Sequence, residues 1–292
     1  SRHPRRDRDK QIHVTDTVKE ELLAVEHKGR GLAGGIDTRE PGNFFPDIPE
    51  GNWEPYHDLL TPTHQVQFNL ACFLIRSSDK TVLVDTGLGP KPTPDTPWGE
   101  LLKSMDAHGV KPSEIDMVVM THAHRDHVGW NLTSSSGTFT PTFPNARYWL
   151  SKTDWEICHS TAVTERFPNA PDCVWPLEDL GILELMDGEQ SITDHITTVP
   201  SPGHTPGHTS LRISSNGEHA LVLGDVLHNP AQAHETDWVS RADMDPTQTR
   251  MTRRSLMEQL ERDGTLVAAV HMPAPGFGNI VRVKGRRYWQ AI

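Results

Sequence analysis

Residues 121–130 run Thr121-His122-Ala123-His124-Arg125-Asp126-His127-Val128-Gly129-Trp130. Within six of these positions lie three imidazoles and one carboxylate: His122, His124, Asp126 and His127. The stretch just upstream, 115–120, is largely apolar and predicts a buried strand. Where a strand ends in His-x-His, both rings point the same way. The Asp-His pair then falls on the turn into the next element. A nitrogen-rich cluster and a carboxylate-plus-histidine cluster are therefore expected side by side, close enough for two transition metals. Zinc favours this mixture of imidazole and carboxylate, and other divalent transition metals also fit it.

Working outward, similar signals recur downstream. Pro202-Gly203-His204-Thr205-Pro206-Gly207-His208-Thr209 is a punctuated loop with two histidines, followed by a strand-like run at 210–213. Residues 220–225 form an apolar strand ending in Gly224-Asp225, and 265–270 form another that runs into His271. Each unit is a buried strand with a chemically active residue at its C-terminal end, the placement expected of loop-borne sites on a rigid scaffold.

These motifs resemble those of the metallo-β-lactamase-fold hydrolases. The matching elements are Val84-Asp85-Thr86-Gly87, His122-x-His124-x-Asp126-His127, Pro206-Gly207-His208, Gly224-Asp225 and His271, in the family's order over roughly 65–285. Segments 127–131 and 141–148 resemble most the branch of N-acyl-homoserine lactonases, other small lactonases and methyl-parathion-type hydrolases. The resemblance implies an α+β fold, the αββα four-layer sandwich of that family. It implies one metal on His122, His124 and His208, a second on Asp126, His127 and His271, and Asp225 bridging them. Of the two loop histidines the family pattern favours His208, leaving His204 to support a ligand. It also implies two Zn(2+) per chain and catalytic roles for Asp126, Asp225 and His228. Asp85 is expected either to orient a ligand histidine or to end its strand in an Asx turn before Gly87.

The expected chemistry is hydrolysis, a metal-bridging hydroxide attacking the lactone or ester carbonyl of a small, partly apolar substrate. Asp126 would orient the nucleophile and carry a proton to the leaving group. The alternative is the same fold acting as a phosphotriester hydrolase or a hydrolytic dehalogenase of an aromatic compound. Many lactonases of the resembled branch place a Tyr three residues after the bridging Asp, where this chain has His228. That departure moves the expectation away from acyl-homoserine lactones towards other lactones, aryl esters and organophosphates. The C-terminal helical region of a glyoxalase and the flavodoxin domain of the diiron relatives are not recognisable here, and a β-lactamase would lack the Asp bridge.

Composition narrows the partners. The chain has 292 residues and a formal net charge of -11, which argues against nucleic acid because phosphate binding needs a basic face. No run approaches the length of a membrane span. The three cysteines show no disulfide or metal spacing, and the Arg-rich 1–10 leads into no apolar signal core; a cytoplasmic location is expected. A small-molecule substrate and a homodimer complete the expectation.

Residues 1–64 are read as an N-terminal extension packing on the core and the site mouth, with one helix near 18–27; 65–292 form the catalytic domain. Strands are expected at 66–76 and 81–85, and helices at 98–108, 151–159 and 245–262. Loop 226–244, carrying His228, His234 and Trp238, is the expected pocket wall. Phe44, Phe45, Trp53, Tyr56, Trp130 and Phe277 are candidates to line the mouth.

Overall fold

The computed structural model describes residues 22–25, 36–77 and 79–292, the first of these as backbone alone. Its strands are β1 (Leu22–Val25), β2 (Ile36–Arg39), β3 (Val66–Asn69), β4 (Cys72–Ser77), β5 (Lys80–Val84), β6 (Met117–Val119), β7 (Leu132–Ser135) and β8 (Thr138–Pro141). They continue as β9 (Arg147–Ser151), β10 (Leu183–Met186), β11 (Ile196–Pro200), β12 (Thr209–Ser215), β13 (Glu218–Val222), β14 (Leu266–Ala268), β15 (Phe277–Val283) and β16 (Arg286–Ala291). Two six-stranded sheets result, ordered β1-β4-β5-β6-β9-β10 and β11-β12-β13-β14-β15-β16.

Side-chain alternation builds the layers. Along the first sheet Phe73, Ile75, Val82, Val84, Met117 and Val119 point inward. They meet Ile196, Leu211, Ile213, Ala220, Val222 and Ala268 of the second sheet in one buried core. Intervening residues point outward, as a period of two requires. Leu74, Leu83, Val118 and Tyr148 pack under Leu101, Met105 and Cys158 of the helices Leu101–Ala107 and Lys152–Cys158. Leu221, Val267 and Ala269 pack under Leu256, Met257 and Leu260 of the helix Pro246–Asp263. Strands buried on both faces carry near-continuous apolar runs, which is why 115–120 and 220–223 lack clean alternation. The architecture is the expected αββα sandwich.

The helix ends follow local chemistry. Asp245 caps the long helix through Gln248 N–H at 2.9 Å, Pro246 occupies its first turn, and Gly264 closes it at φ 62°. Ser151 caps the helix Lys152–Cys158 by accepting from Asp154 N–H.

Two expected elements differ. The run 66–76 is not one strand: β3 pairs with β2 in a separate ribbon, and only β4 joins the main sheet. Between them Ala71 N–H donates to Val270 O at 3.2 Å, drawing this link towards the end of β14. Within the helix expected near 18–27, residues 22–25 form β1, antiparallel to β4; the remainder of that expectation lies outside the described residues. Residues 36–64 supply Phe45 and Trp53 to a small core with Val66, Phe68, Ala231 and Trp238. Among the described residues no helix is long and apolar enough to cross a membrane.

Candidate metal centre

The parallel pairs β5/β6 and β13/β14 end at the same edge of the sandwich, and the chemically active residues occupy the loops just past them. Asp85 follows β5 at φ 60°, a left-handed conformation that Asp tolerates better than most residues. There it accepts from Thr121 N–H at 2.8 Å and from His127 Nδ1 at 2.8 Å. Of the two readings of Asp85, the orienting contact is the one it makes.

Past β6, His122 Nε2 lies 3.1 Å from His124 Nδ1, which lies 2.9 Å from His204 Nε2. Three ring nitrogens converge where protons cannot satisfy them all, an arrangement suited to a metal ion. Asp126, His127 and His271 form a second group, with Asp126 Oδ2 3.7 Å from both His127 Nε2 and His271 Nε2. Asp225 stands between the groups. Its Oδ1 is 3.2 Å from His127 Nε2, and its Oδ2 is 3.2 Å from His204 Nε2 and 3.1 Å from His271 Nε2. His127 Nε2 and Asp225 Oδ1 are buried without a hydrogen-bond partner, so the donor set fits divalent cations.

The outward nitrogens are held in turn. His204 Nδ1 meets Asp243 Oδ1 at 2.9 Å, His271 Nδ1 donates to Asn69 O at 2.7 Å, and His122 Nδ1 meets Thr121 Oγ1 at 3.0 Å. Such contacts fix tautomer and ring orientation.

His208 is placed differently from the expectation. Its Nε2 accepts from Asp225 N–H at 2.9 Å and its Nδ1 donates to Ser201 O at 3.1 Å. Both ring nitrogens are engaged by protein, and the ring belongs to neither converging group. His204, expected as a support, occupies the position anticipated for His208. Gly224 permits the close approach: a Cβ there would lie 2.5 Å from His208 Nε2, and φ is 61°.

Electrostatics follow burial and proximity. Burial holds His122 and His124 well below the usual histidine range, with positive charge at neighbouring rings adding to it. For His204, burial opposes the charged form but Asp225 and Asp243 outweigh it, lifting the ring to about 9. His127 is likewise raised against burial by Asp225, Asp85 and Asp126. Despite its own burial, Asp225 is held well below the carboxylate range by His127, His271 and His204. Burial pushes His208 down to about 3, helped by charge at His204, so that ring is neutral.

Three supporting residues escaped the sequence reading. Asp154, pushed by burial up to about 6, accepts from Ala123 N–H at 3.1 Å, Thr205 Oγ1–H at 2.8 Å and Gly207 N–H at 2.7 Å. It thereby ties the His122–His124 turn to the 202–208 loop. Asp243 holds His204 and accepts from Ser240 N–H at 2.6 Å. The fully buried Arg253 donates to Val226 O at 2.7 Å and to Trp238 O, pinning the 226–244 loop.

The cleft over this centre encloses about 370 Å³. Phe44, Phe68, Leu70 and Leu88 form its apolar wall, and His124, Asp126, Asp225, His228 and His271 lie at its floor. His228 is buried, with both ring nitrogens unpartnered; Nε2 lies 3.4 Å from Asp225 Oδ2. Of the aromatics expected at the mouth only Phe44 reaches it. Phe45, Trp53, Tyr56 and Trp238 pack against one another behind the wall. Trp130 packs in the outer core, Phe277 packs against Phe73, and His234 accepts from Arg287 N–H.

Fold and donor set together define a metal-dependent hydrolase scaffold with its ligands at the mouth of two packed sheets. Residues 67–271 match the family model of the Metallo-beta-lactamase superfamily, and the chain belongs to that hydrolase superfamily. It is 23% identical over 235 residues to N-acyl homoserine lactonase of Bacillus thuringiensis, covering 74% of this chain and 86% of that one. To the uncharacterized protein YobT of Bacillus subtilis (strain 168) it is 29% identical over 163 residues, 55% of this chain and 63% of that one. A similar solved structure is AidC, a dizinc quorum-quenching lactonase in complex with a product, with TM-score 0.77, 23% identity and 93% of both chains covered. The hydrolase AbOPH gives TM-score 0.77 at 22% identity, covering 92% of this chain and 97% of that one.

Proposed function

We propose that the chain is a dinuclear hydrolase of lactones or esters. One ion would be held by His122, His124 and His204, the other by Asp126, His127 and His271, with Asp225 shared. The observation that carries this is Asp225, whose two carboxylate oxygens each lie within 3.2 Å of a histidine from a different group. Bound divalent ions, zinc first, would supply Lewis acidity and an activated water. The lactonases among its relatives support a carbonyl substrate.

The chain's own residues do the rest. Asp85, Asp243 and Asn69 O hold three rings with their Nε2 atoms aimed inward. Asp126, partly exposed at the cleft floor, carries a proton to the departing alkoxide. His228, whose Nε2 lies 3.4 Å from Asp225 Oδ2 and whose ring nitrogens make no hydrogen bond among the described residues, would offer one N–H to the substrate carbonyl oxygen, where developing charge is stabilised. Residues 36–64 close the cleft from one side through Phe44. The Phe44, Phe68 and Leu70 wall keeps bulk water from the reacting carbonyl.

The test is metal stoichiometry coupled, in one preparation, to turnover of an acyl-homoserine lactone, a simple lactone, an aryl ester, a phosphotriester and a chlorinated aromatic. Two ions per chain with lactone or ester turnover are expected. Turnover confined to the phosphotriester or the aromatic halide transfers the reading to those chemistries. Asp225→Ala is expected to abolish turnover with the circular-dichroism spectrum intact. His228→Phe is expected to lower kcat/KM by about 10- to 100-fold with unchanged metal content; a parallel loss of metal would make it a ligand.

A further inference from the structure

The rim of the cleft has a charge at odds with the protein that bears it. The chain carries 39 acidic against 28 basic residues. Most described arginines answer a carboxylate, as Arg147 does Glu184 and Arg282 does Glu261. Arg125, Arg166 and Arg241 do not: all three line the cleft, and none makes an ion pair among the described residues. Asp37 on the same rim is already taken by Arg39 at 2.7 Å, leaving Glu165 as the one rim carboxylate without an ion pair among the described residues. With Asp126 and Asp225 assigned to the metal centre, positive charge is in excess over the rest of the cleft's lining.

Two of the three side chains are held in place. Arg166 donates to Arg241 O at 3.1 Å and Ala242 O at 2.5 Å, and Arg241 donates to Asn43 O at 3.3 Å. Each uses one edge of its guanidinium on backbone carbonyls and keeps further N–H groups for a ligand. The Arg125 side chain is exposed, makes no hydrogen bond among the described residues, and directly precedes Asp126 on the metal motif. Guanidinium is the side chain whose fork matches a carboxylate in two parallel hydrogen bonds. The apolar wall of Phe44, Phe68, Leu70 and Leu88 lines the same cleft. The cleft thus brings together three kinds of lining: guanidinium groups, apolar side chains and the metal-binding residues.

Resting on the ester and lactone reading, we propose that the substrate carries, besides its scissile carbonyl, a carboxylate received by Arg125, Arg166 and Arg241. The substrate class is a half-ester of a short dicarboxylic acid, or a carboxylated lactone. The rim charge draws it from solution against the protein's overall negative field.

The test compares 4-nitrophenyl hydrogen glutarate with 4-nitrophenyl pentanoate on the metal-loaded enzyme. Acyl length is shared, so the terminal carboxylate is the difference. The glutarate ester is expected to be favoured by about tenfold or more in kcat/KM. That margin should sit mainly in KM, shrink as salt is raised, and fall in both Arg125→Gln and Arg241→Gln. Equal efficiency for the two esters, or a margin indifferent to salt and to both substitutions, overturns the proposal. Turnover of neither ester removes the ester reading instead, and calorimetry then decides the anion site separately. Glutarate and pentanoate each have one carboxylate for the metals, whereas only glutarate has a second. Tighter binding of glutarate that is lost in the Arg125→Gln/Arg241→Gln double variant sustains the proposal; equal binding ends it.

Discussion

His204 and His208 are chemically the same residue four positions apart, and what their Nε2 atoms face separates them. One points at His124 and Asp225; the other accepts a backbone N–H. His204→Ala is therefore expected to lose one metal equivalent, whereas His208→Gln keeps both but binds them more weakly because Asp225 loses its backbone anchor. Metal analysis after dialysis reads this directly, and loss of an equivalent in His208→Gln alone would restore His208 as the ligand. The sequence could not separate the pair, because both sit in a tandem Pro-Gly-His-Thr repeat. The difference arises at Gly203, whose φ of 134° lays the first repeat against Thr249 of the long helix, where a Cβ would meet backbone at 2.4 Å. His122, Asp225 and His271 stood out because each comes at or just past the end of an apolar run, and His124, Asp126 and His127 because they crowd into the same short motif.

At the scale of elements, the helix Lys152–Cys158 does more than cover a sheet. Asp154 in its first turn reads from sequence as an acid favourable to the helix dipole. In the fold it reaches back to the two loops that carry His122, His124 and His204. Asp154→Ala strands two backbone N–H groups and a hydroxyl in the interior, so about 3 kcal/mol or more of stability should be lost. Urea unfolding measures this, with Asp154→Asn falling between the variant and the parent because one acceptor survives. A loss below about 0.5 kcal/mol would show that the loops hold without it. Long helices were legible from caps and period. The break between β3 and β4 was not, because Leu70 and Ala71 are as apolar as the strands they separate and only tertiary pairing divides the run.

For the whole molecule, Glu261 joins the long helix to the last hairpin through Arg282 Nη2 at 2.8 Å and Arg287 Nε at 2.6 Å. These arginines hold its carboxyl down to about 2, against an ordinary value of 4.5. The folded pKa lies below the unfolded one, so the stabilisation is fully present above about pH 4.5 and fades as pH falls towards 2. The network is only partly buried, with Arg282 the more exposed arginine, so solvent screens it and Glu261→Gln should cost about 1 kcal/mol at pH 7. Stability curves at pH 7, 5, 4 and 3 are expected to converge for parent and variant; a gap that widens on acidification contradicts the assignment. The four-layer architecture was legible from the order of the motifs, whereas the surface network of Glu261 was not, because its partners lie in a hairpin distant in sequence.

The origin of the candidate ligands along the chain has a mechanical meaning. Each converging group draws residues from both sheets: His124 and His204 touch across 80 residues of intervening chain, and Asp225 joins groups on either side. An ion seated there acts as a rivet between the two halves, closing long loops that an open chain would have to close by itself. Loading the centre should therefore harden the entire sandwich, and a chelator should slacken both sheets at once.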